Sequence, residues 1–173
     1  VPIVTSLTQG WTMGWASAPY DPAWADAHPR RAAFMSLAGP MGNLLIALTV
    51  FAIIQVGLAF GAFEAPAHAS VQHLVANAMP ADPLQFGDFL AEGLSVLLAL
   101  NVLLLVFNLL PLPPLDGASV LTLVLPANTA RRLRVTVGSP GFAFVGILAA
   151  WQLFPSLAAP IMAVLVRVLY PTH

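Results

Sequence analysis

The sequence has very little charge, and two residue types are missing from it. Only 8% of its 173 residues are charged, against about 25% in an ordinary soluble domain, while 59% are hydrophobic. Cysteine and lysine do not occur, which excludes disulfides, thiolate metal sites and cysteine nucleophiles. A net charge of -1 leaves no basic surface for nucleic acid. This composition excludes a water-soluble fold, and the length suits one membrane domain.

The few charged residues are grouped around three uncharged stretches. These stretches are Phe34–Phe63, Gly93–Leu115 and Gly141–Val166. Each of them meets the roughly 20 apolar residues that a helix needs to cross a bilayer. Only Asp116 lies deep in an apolar context. Three membrane passages are therefore predicted, with one ionisable residue among them.

The predicted fold class is all-α, a polytopic transmembrane helical bundle with one helix broken at a Pro-rich Asp-Gly segment. The predicted segments are an interfacial or re-entrant segment over 1–33, a membrane helix over 34–60, an external loop over 61–86, a broken membrane helix over 87–125, a basic cytoplasmic loop over 126–140 and a C-terminal membrane helix or hairpin over 141–170. The last segment keeps both alternatives because Pro155 and Pro160 interrupt it.

The arginines predict the orientation of the chain. Arg30 and Arg31 precede the first membrane helix, and Arg131, Arg132 and Arg134 follow the broken one. Positive residues favour the cytoplasmic side, so both groups are placed there as topology and headgroup anchors. The loop over 61–86 then lies outside.

Asp116 is the strongest candidate for a functional residue. An ionisable group inside a bilayer costs at least ~2.5 kcal/mol, so it is normally retained for a partner, an ion or a proton. Pro111, Pro113 and Pro114 precede it and Gly117 follows, and irregular backbone survives at membrane depth only where it faces protein or a water-filled cavity. The segment PLPPLDG is therefore predicted to line a polar cavity. The alternative is a surface turn in which Asp116 caps the next helix.

Several blocks of the sequence carry a resemblance to a known family. The segment NLLPLPPLDG, residues 108–117, resembles the signature of the site-2 proteases, which are polytopic intramembrane zinc metalloproteases. Upstream, GWASAPYDP and PRRAAFMSLAGPMGNLL are similar to the family's preceding stretch and to the opening of its next helix. RRLRVTVGSPGFAFVGILAAW resembles its C-terminal helix. The order and spacing of the blocks agree along essentially the whole chain.

The resemblance implies roles for two residues. Asp116 matches the family's third zinc ligand. Asn108 is a candidate substrate-binding residue, because in the unwound region its amide could bond a substrate carbonyl or a developing oxyanion. The alternative for Asn108 is that it only satisfies freed backbone nearby.

One block of the family is missing from the sequence. The H-E-x-x-H motif, which supplies two zinc ligands and a general base, does not occur. Of the four histidines, His28, His68, His73 and His173, none stands four residues from another. Asp116 alone does not hold a catalytic zinc, which needs three protein ligands. We expect the sequence to be a fragment that follows the H-E-x-x-H helix; the alternative is a degenerate, non-catalytic family member.

The function implied by the resemblance belongs to the full-length protein. It is a metalloendopeptidase that hydrolyses peptide bonds in a transmembrane protein or peptide substrate, using one zinc ion held by Asp116 and two histidines from a segment not present here. No catalytic residue is expected in this chain, which alone should be inactive. The expected location is a bacterial or archaeal cell membrane, with the active site near the cytoplasmic side and the lipid bilayer as a partner. The alternatives are a non-catalytic protein that binds membrane helices and a small transporter component.

Overall fold

The computed structural model describes residues 22–79, 85–126, 128–130, 132–133 and 140–171. Its elements are α1 (Pro22–Ala27), α2 (Pro29–Ala59), β1 (Phe63–Glu64), β2 (Ala76–Asn77), α3 (Phe86–Asn108), α4 (Asp116–Leu121) and α5 (Pro140–Leu169). Most of the predicted re-entrant segment lies outside the described residues, as do Arg131, Arg134 and His173.

Three helices are long and apolar enough to cross a membrane. They are α2 with 31 residues, α3 with 23, and the 26 residues Phe144–Leu169 of α5, at mean hydropathies of 2.0, 2.3 and 1.7. The all-α class and the three predicted spans are confirmed, and the chain is an integral membrane protein. Helix α2 begins at Pro29, before the predicted residue 34, because the fixed φ of proline suits the first helical turn. Arg30 and Arg31 therefore lie in its first turn.

Helix α3 is the central helix of the bundle. In its most apolar window 39% of the residues are buried, against 17% in α2 and 11% in α5. The main hydrophobic cluster joins Leu98 of α3 to Ile54 of α2 and Leu169 of α5, and it includes Leu74 and Val75 from the loop before α3. The loop predicted to lie outside the membrane therefore closes one end of the bundle with apolar side chains.

Ser95 fixes that loop to the central helix. Its buried hydroxyl accepts hydrogen bonds from the backbone N–H groups of Leu74 and Val75, at 3.0 and 3.1 Å, and donates to the Ala91 carbonyl at 2.7 Å. Just after α5, the Tyr170 hydroxyl donates to the Leu74 carbonyl at 2.8 Å. Leu74 is thus hydrogen-bonded both to the central helix and to the residue that follows α5, which satisfies backbone groups that are shielded from water.

Two short strands complete the loop. β1 and β2 pair antiparallel, with Phe63 opposite Asn77 and Glu64 opposite Ala76. The turn between α2 and β1 needs Gly61, whose φ of +71° favours glycine. The sequence pattern did not predict this small sheet, since two-residue strands are too short to show an alternating pattern.

Helix α5 is a single helix over Pro140–Leu169, so the structure has the first of the two alternatives predicted there. Each internal proline removes one hydrogen bond, but an apolar surrounding favours keeping all the other bonds of the helix. The C-terminal end is held by Leu165 and Leu169 in the core and by Gln55, whose side-chain amide donates to the Leu169 carbonyl at 3.2 Å.

We predict that Ser95→Ala destabilises the folded protein. The substitution leaves the buried N–H groups of Leu74 and Val75 without their acceptor, at about 1–3 kcal/mol for each unsatisfied group. The unfolding temperature in detergent should fall by about 2–4 °C per kcal/mol lost. Ser70→Ala is the control, because the Ser70 hydroxyl accepts from the His73 N–H at 3.1 Å in an exposed position, where water can replace it. Equal unfolding temperatures for the two variants would contradict the role assigned to Ser95.

Candidate metal-binding site

The break predicted in the membrane helix over 87–125 is present. Helix α3 ends at Asn108 and helix α4 begins at Asp116. In between, the chain forms tight turns, with the Leu112 N–H donating to the Leu110 carbonyl and the Leu115 N–H to the Leu112 carbonyl, both at 2.8 Å. Prolines 111, 113 and 114 have no N–H to donate, so a continuous helical hydrogen-bond pattern cannot form through this segment.

Asp116 is the first residue of α4. The cap position is Leu115, and no side-chain capping bond is made there, so the alternative in which Asp116 serves as the helix cap is not what the structure has. Its carboxylate is half-buried, and no hydrogen bond or ion pair to it is found among the residues that the structure describes. The carboxylate oxygens are therefore available to a ligand.

Helix α2 lies directly against this carboxylate at Gly39. A β-carbon added to Gly39 would stand 3.2 Å from Oδ2 of Asp116. Gly39 follows Arg31 by about two turns, or about 12 Å along the helix, and precedes Ile54 by about 22 Å. Asp116 thus lies inside the apolar region, between the end of the bundle that carries Arg30 and Arg31 and the hydrophobic cluster, whose first α2 member, Ala47, stands about two turns beyond Gly39.

Two further glycines allow the segment before Asp116 to pack closely. A β-carbon on Gly117 would overlap the carbonyl groups of Leu109 and Leu110, and a β-carbon on Gly146 of α5 would overlap the Pro113 carbonyl. The segment therefore contacts α5 on one side, while Asp116 contacts α2 on the other. The sequence pattern did not identify Gly146. Its partner is distant in sequence, so no local pattern identifies it.

An apolar groove runs beside the site between α3 and α5. Its volume is about 580 Å³, and at one end the rings of Phe107 and Phe154 meet edge to face with centroids 5.6 Å apart. Leu115, next to Asp116, lines the groove. Its other lining residues are Leu100, Leu103, Leu104, Ile147, Ala150, Trp151 and Pro155. The groove thus reaches the residue that precedes Asp116 in the chain.

Asn108 occupies a different setting from the one predicted. It is the last residue of α3 and is half-buried, whereas the sequence analysis placed it in the unwound segment. The helix continues to Asn108 because Pro111 is the first of the three prolines, and the N–H groups of Leu109 and Leu110 still bond to carbonyls of the last turn. Its role as a substrate-binding residue stays a prediction.

The histidines do not gather around Asp116. His28 stacks on Trp24 with ring centroids 5.3 Å apart, and its Nδ1 lies 3.2 Å from the Trp24 carbonyl. His68 and His73 lie in the loop before α3. Over the described ranges, no group of three or more His, Asp or Glu side chains could hold a metal ion. Asp116 offers one oxygen ligand, of a kind that zinc accepts, but these residues do not complete a zinc site.

Comparisons with known proteins agree with the resemblance seen in the sequence. The chain matches the family model "Peptidase family M50" over residues 11–150. It is 31% identical over 137 residues to a Bacillus subtilis (strain 168) protein named "Putative zinc metalloprotease YwhC", and the match covers 76% of this chain and 54% of the relative. The chain thus spans about half the length of this curated relative. No solved structure matches it significantly.

We predict that Gly146→Ala destabilises the protein. The new methyl group overlaps a backbone carbonyl of the Pro-rich segment, and overpacking of this kind costs about 1–3 kcal/mol. The matched control is Gly141→Ala on the same helix, where an added β-carbon meets no atom of the described residues within 4 Å. This control should be neutral or slightly stabilising, since alanine favours a helix over glycine by up to about 1 kcal/mol. Thermal unfolding in detergent compares the two, and unfolding at the same temperature would contradict the close approach of Gly146 and Pro113.

Proposed function

Since the chain belongs to peptidase family M50, the site-2 proteases, we propose that its full-length protein is an intramembrane zinc metalloprotease. In this proposal the enzyme hydrolyses peptide bonds in transmembrane substrates, and Asp116 is one of its zinc ligands. The observation that carries the proposal is the position of Asp116. Its carboxylate lies inside the apolar region, half-buried and without a protein partner among the described residues. Such a group is costly unless a cation compensates it.

The remaining zinc ligands are proposed to come from outside residues 1–173. Two findings support this. H-E-x-x-H is absent from the sequence, and the described residues contain no group of three or more side chains that could hold a metal ion. When bound, zinc supplies a Lewis acid for a peptide carbonyl and activates water for attack. The contribution of this chain is one negatively charged oxygen ligand, held in place by the packing of its segment on α2 and α5.

The surroundings of Asp116 suit a substrate that is itself apolar. The groove between α3 and α5 is lined by hydrophobic side chains and reaches Leu115, so a transmembrane segment could lie in it without leaving apolar surroundings. Asn108 stands at the end of α3, where its amide could donate to a carbonyl of an unwound substrate. The apolar lining also limits access of bulk water to the reacting bond.

The active site is proposed to lie near the cytoplasmic side of a bacterial or archaeal cell membrane. Arg30 and Arg31 are one end of α2, about two turns from the residue that contacts Asp116, and positive residues favour the cytoplasmic side. The loop predicted over 61–86 is then external, and its described part, residues 61–79, closes the other end of the bundle.

A non-catalytic membrane protein that binds membrane helices is the second candidate. It is favoured by the absence of H-E-x-x-H from the sequence. The two candidates differ in whether zinc binding and substrate cleavage depend on Asp116.

We predict that Asp116→Asn in the full-length protein abolishes cleavage of a model membrane substrate and lowers its zinc content. The amide keeps the shape of the carboxylate but loses the charge that binds the cation. Asp88→Asn is the control, because Asp88 is an exposed carboxylate at the start of α3. Zinc is measured by elemental analysis and cleavage by gel mobility of the substrate. Wild-type cleavage and zinc content in Asp116→Asn would exclude the proposed function, and cleavage by neither variant nor wild type would favour the non-catalytic candidate.

We predict that single cysteines report opposite sides of the membrane at the two ends of the bundle. The chain has no cysteine of its own, so Ser70→Cys in the external loop and Asn128→Cys after α4 can each be labelled in a full-length protein without other cysteines. In intact cells a membrane-impermeant thiol reagent should label position 70 and not position 128, which should react only after lysis. The reverse pattern would contradict the proposed orientation.

A further inference from the structure

We propose that Gly39 is a positioning residue for the zinc ligand Asp116: the missing side chain at position 39 sets where the carboxylate stands. The inference rests on the proposed function. It starts from a close contact between α2 and the Asp116 carboxylate, in which the place of a β-carbon on Gly39 is 3.2 Å from Oδ2. Apart from the helix itself, no other described atom lies within 4 Å of that place.

The local geometry makes this contact specific. Gly39 lies on the long helix α2 beside Pro40, which is buried, so packing around Pro40 restrains the backbone at position 39. The backbone at Asp116 is held in place, because the neighbouring Gly117 packs on the carbonyls of Leu109 and Leu110. A methyl group inserted between α2 and α4 must therefore displace the most movable part, which is the carboxylate.

The size of that displacement decides the effect. A β-carbon at 3.2 Å from an oxygen is tighter than nine in ten real contacts, so the carboxylate must shift by a few tenths of an ångström. Ligand distances in metal sites hold within about 0.2 Å, and zinc–oxygen bonds fall in a narrow range near 2.0–2.2 Å. A shift of this size is enough to weaken a ligand while leaving the fold unchanged.

The same helix offers a matched control. Gly42 stands one turn further along α2, and a β-carbon added there meets no described atom within 4 Å. Both glycine-to-alanine changes replace a poor helix former by a good one, so any effect on helix stability should be alike in the two variants. A difference between them reports the contact with Asp116.

The experiment uses the full-length protein in detergent. After removal of the metal with a chelator, the affinity for added zinc is measured by competition with a zinc-binding dye, and the absorption spectrum of added cobalt(II) reports the ligand geometry. Gly39→Ala should bind zinc about tenfold more weakly than the wild type, as changes that misplace a ligand typically do, and Gly39→Val more weakly still. Gly42→Ala should stay within about twofold of the wild type. The unfolding temperature of the metal-free Gly39→Ala protein should equal that of Gly42→Ala.

A double variant separates positioning from general packing. If Gly39 acts through Asp116, Gly39→Ala has no further effect on zinc affinity in an Asp116→Asn background. The inference is overturned if Gly39→Ala and Gly39→Val bind zinc like Gly42→Ala, or if Gly39→Ala weakens zinc binding equally in the Asp116→Asn background. Unchanged zinc affinity in Asp116→Asn alone would instead remove the proposed function, and with it this inference, so the two failures are distinguishable.

Discussion

The structure depends on one constraint, the placement of irregular backbone and a carboxylate inside an apolar region. A helix that crosses a bilayer satisfies its own backbone, and a break in it exposes carbonyl groups that lipid cannot pair. The three prolines before Asp116 create such a break between Asn108 and Asp116. Contacts with other helices shield this break from lipid. Helix α4 packs against α2, and the Pro-rich segment packs on α5.

Glycine is what makes this enclosure possible. Positions 39, 117 and 146 each face an atom of the broken segment at a distance that leaves little or no room for a β-carbon. Because these glycines have no side chain, the backbone of the broken segment and the Asp116 carboxylate can approach the neighbouring helices closely. Asp116 is thereby fixed from two helices while its oxygens stay without a partner among the described residues.

The two ends of the bundle are built differently, which suits a division between stability and function. At the end with the loop residues 61–79, large aliphatic side chains and the Ser95 hydrogen bonds hold all three long helices together. At the end with Asp116, an apolar groove of about 580 Å³ separates α3 from α5. A tightly packed end can hold the helices in register while the other end leaves space next to a reactive position.

The sequence by itself determined the membrane class, the three spans and the break, and it predicts Asp116 as the candidate metal ligand. Each of these follows from local features: long uncharged stretches, clustered prolines and one acidic residue in apolar surroundings. The tertiary structure decided what surrounds Asp116. It brought Gly39 to a carboxylate far along the chain, set Gly146 against Pro113, and kept Asn108 in the last turn of α3. It also chose one helix over a hairpin for α5, whose end is bound by Gln55 and by the core. These outcomes depend on contacts between helices distant in sequence, and a local pattern of residues carries no information about which distant surface it will meet.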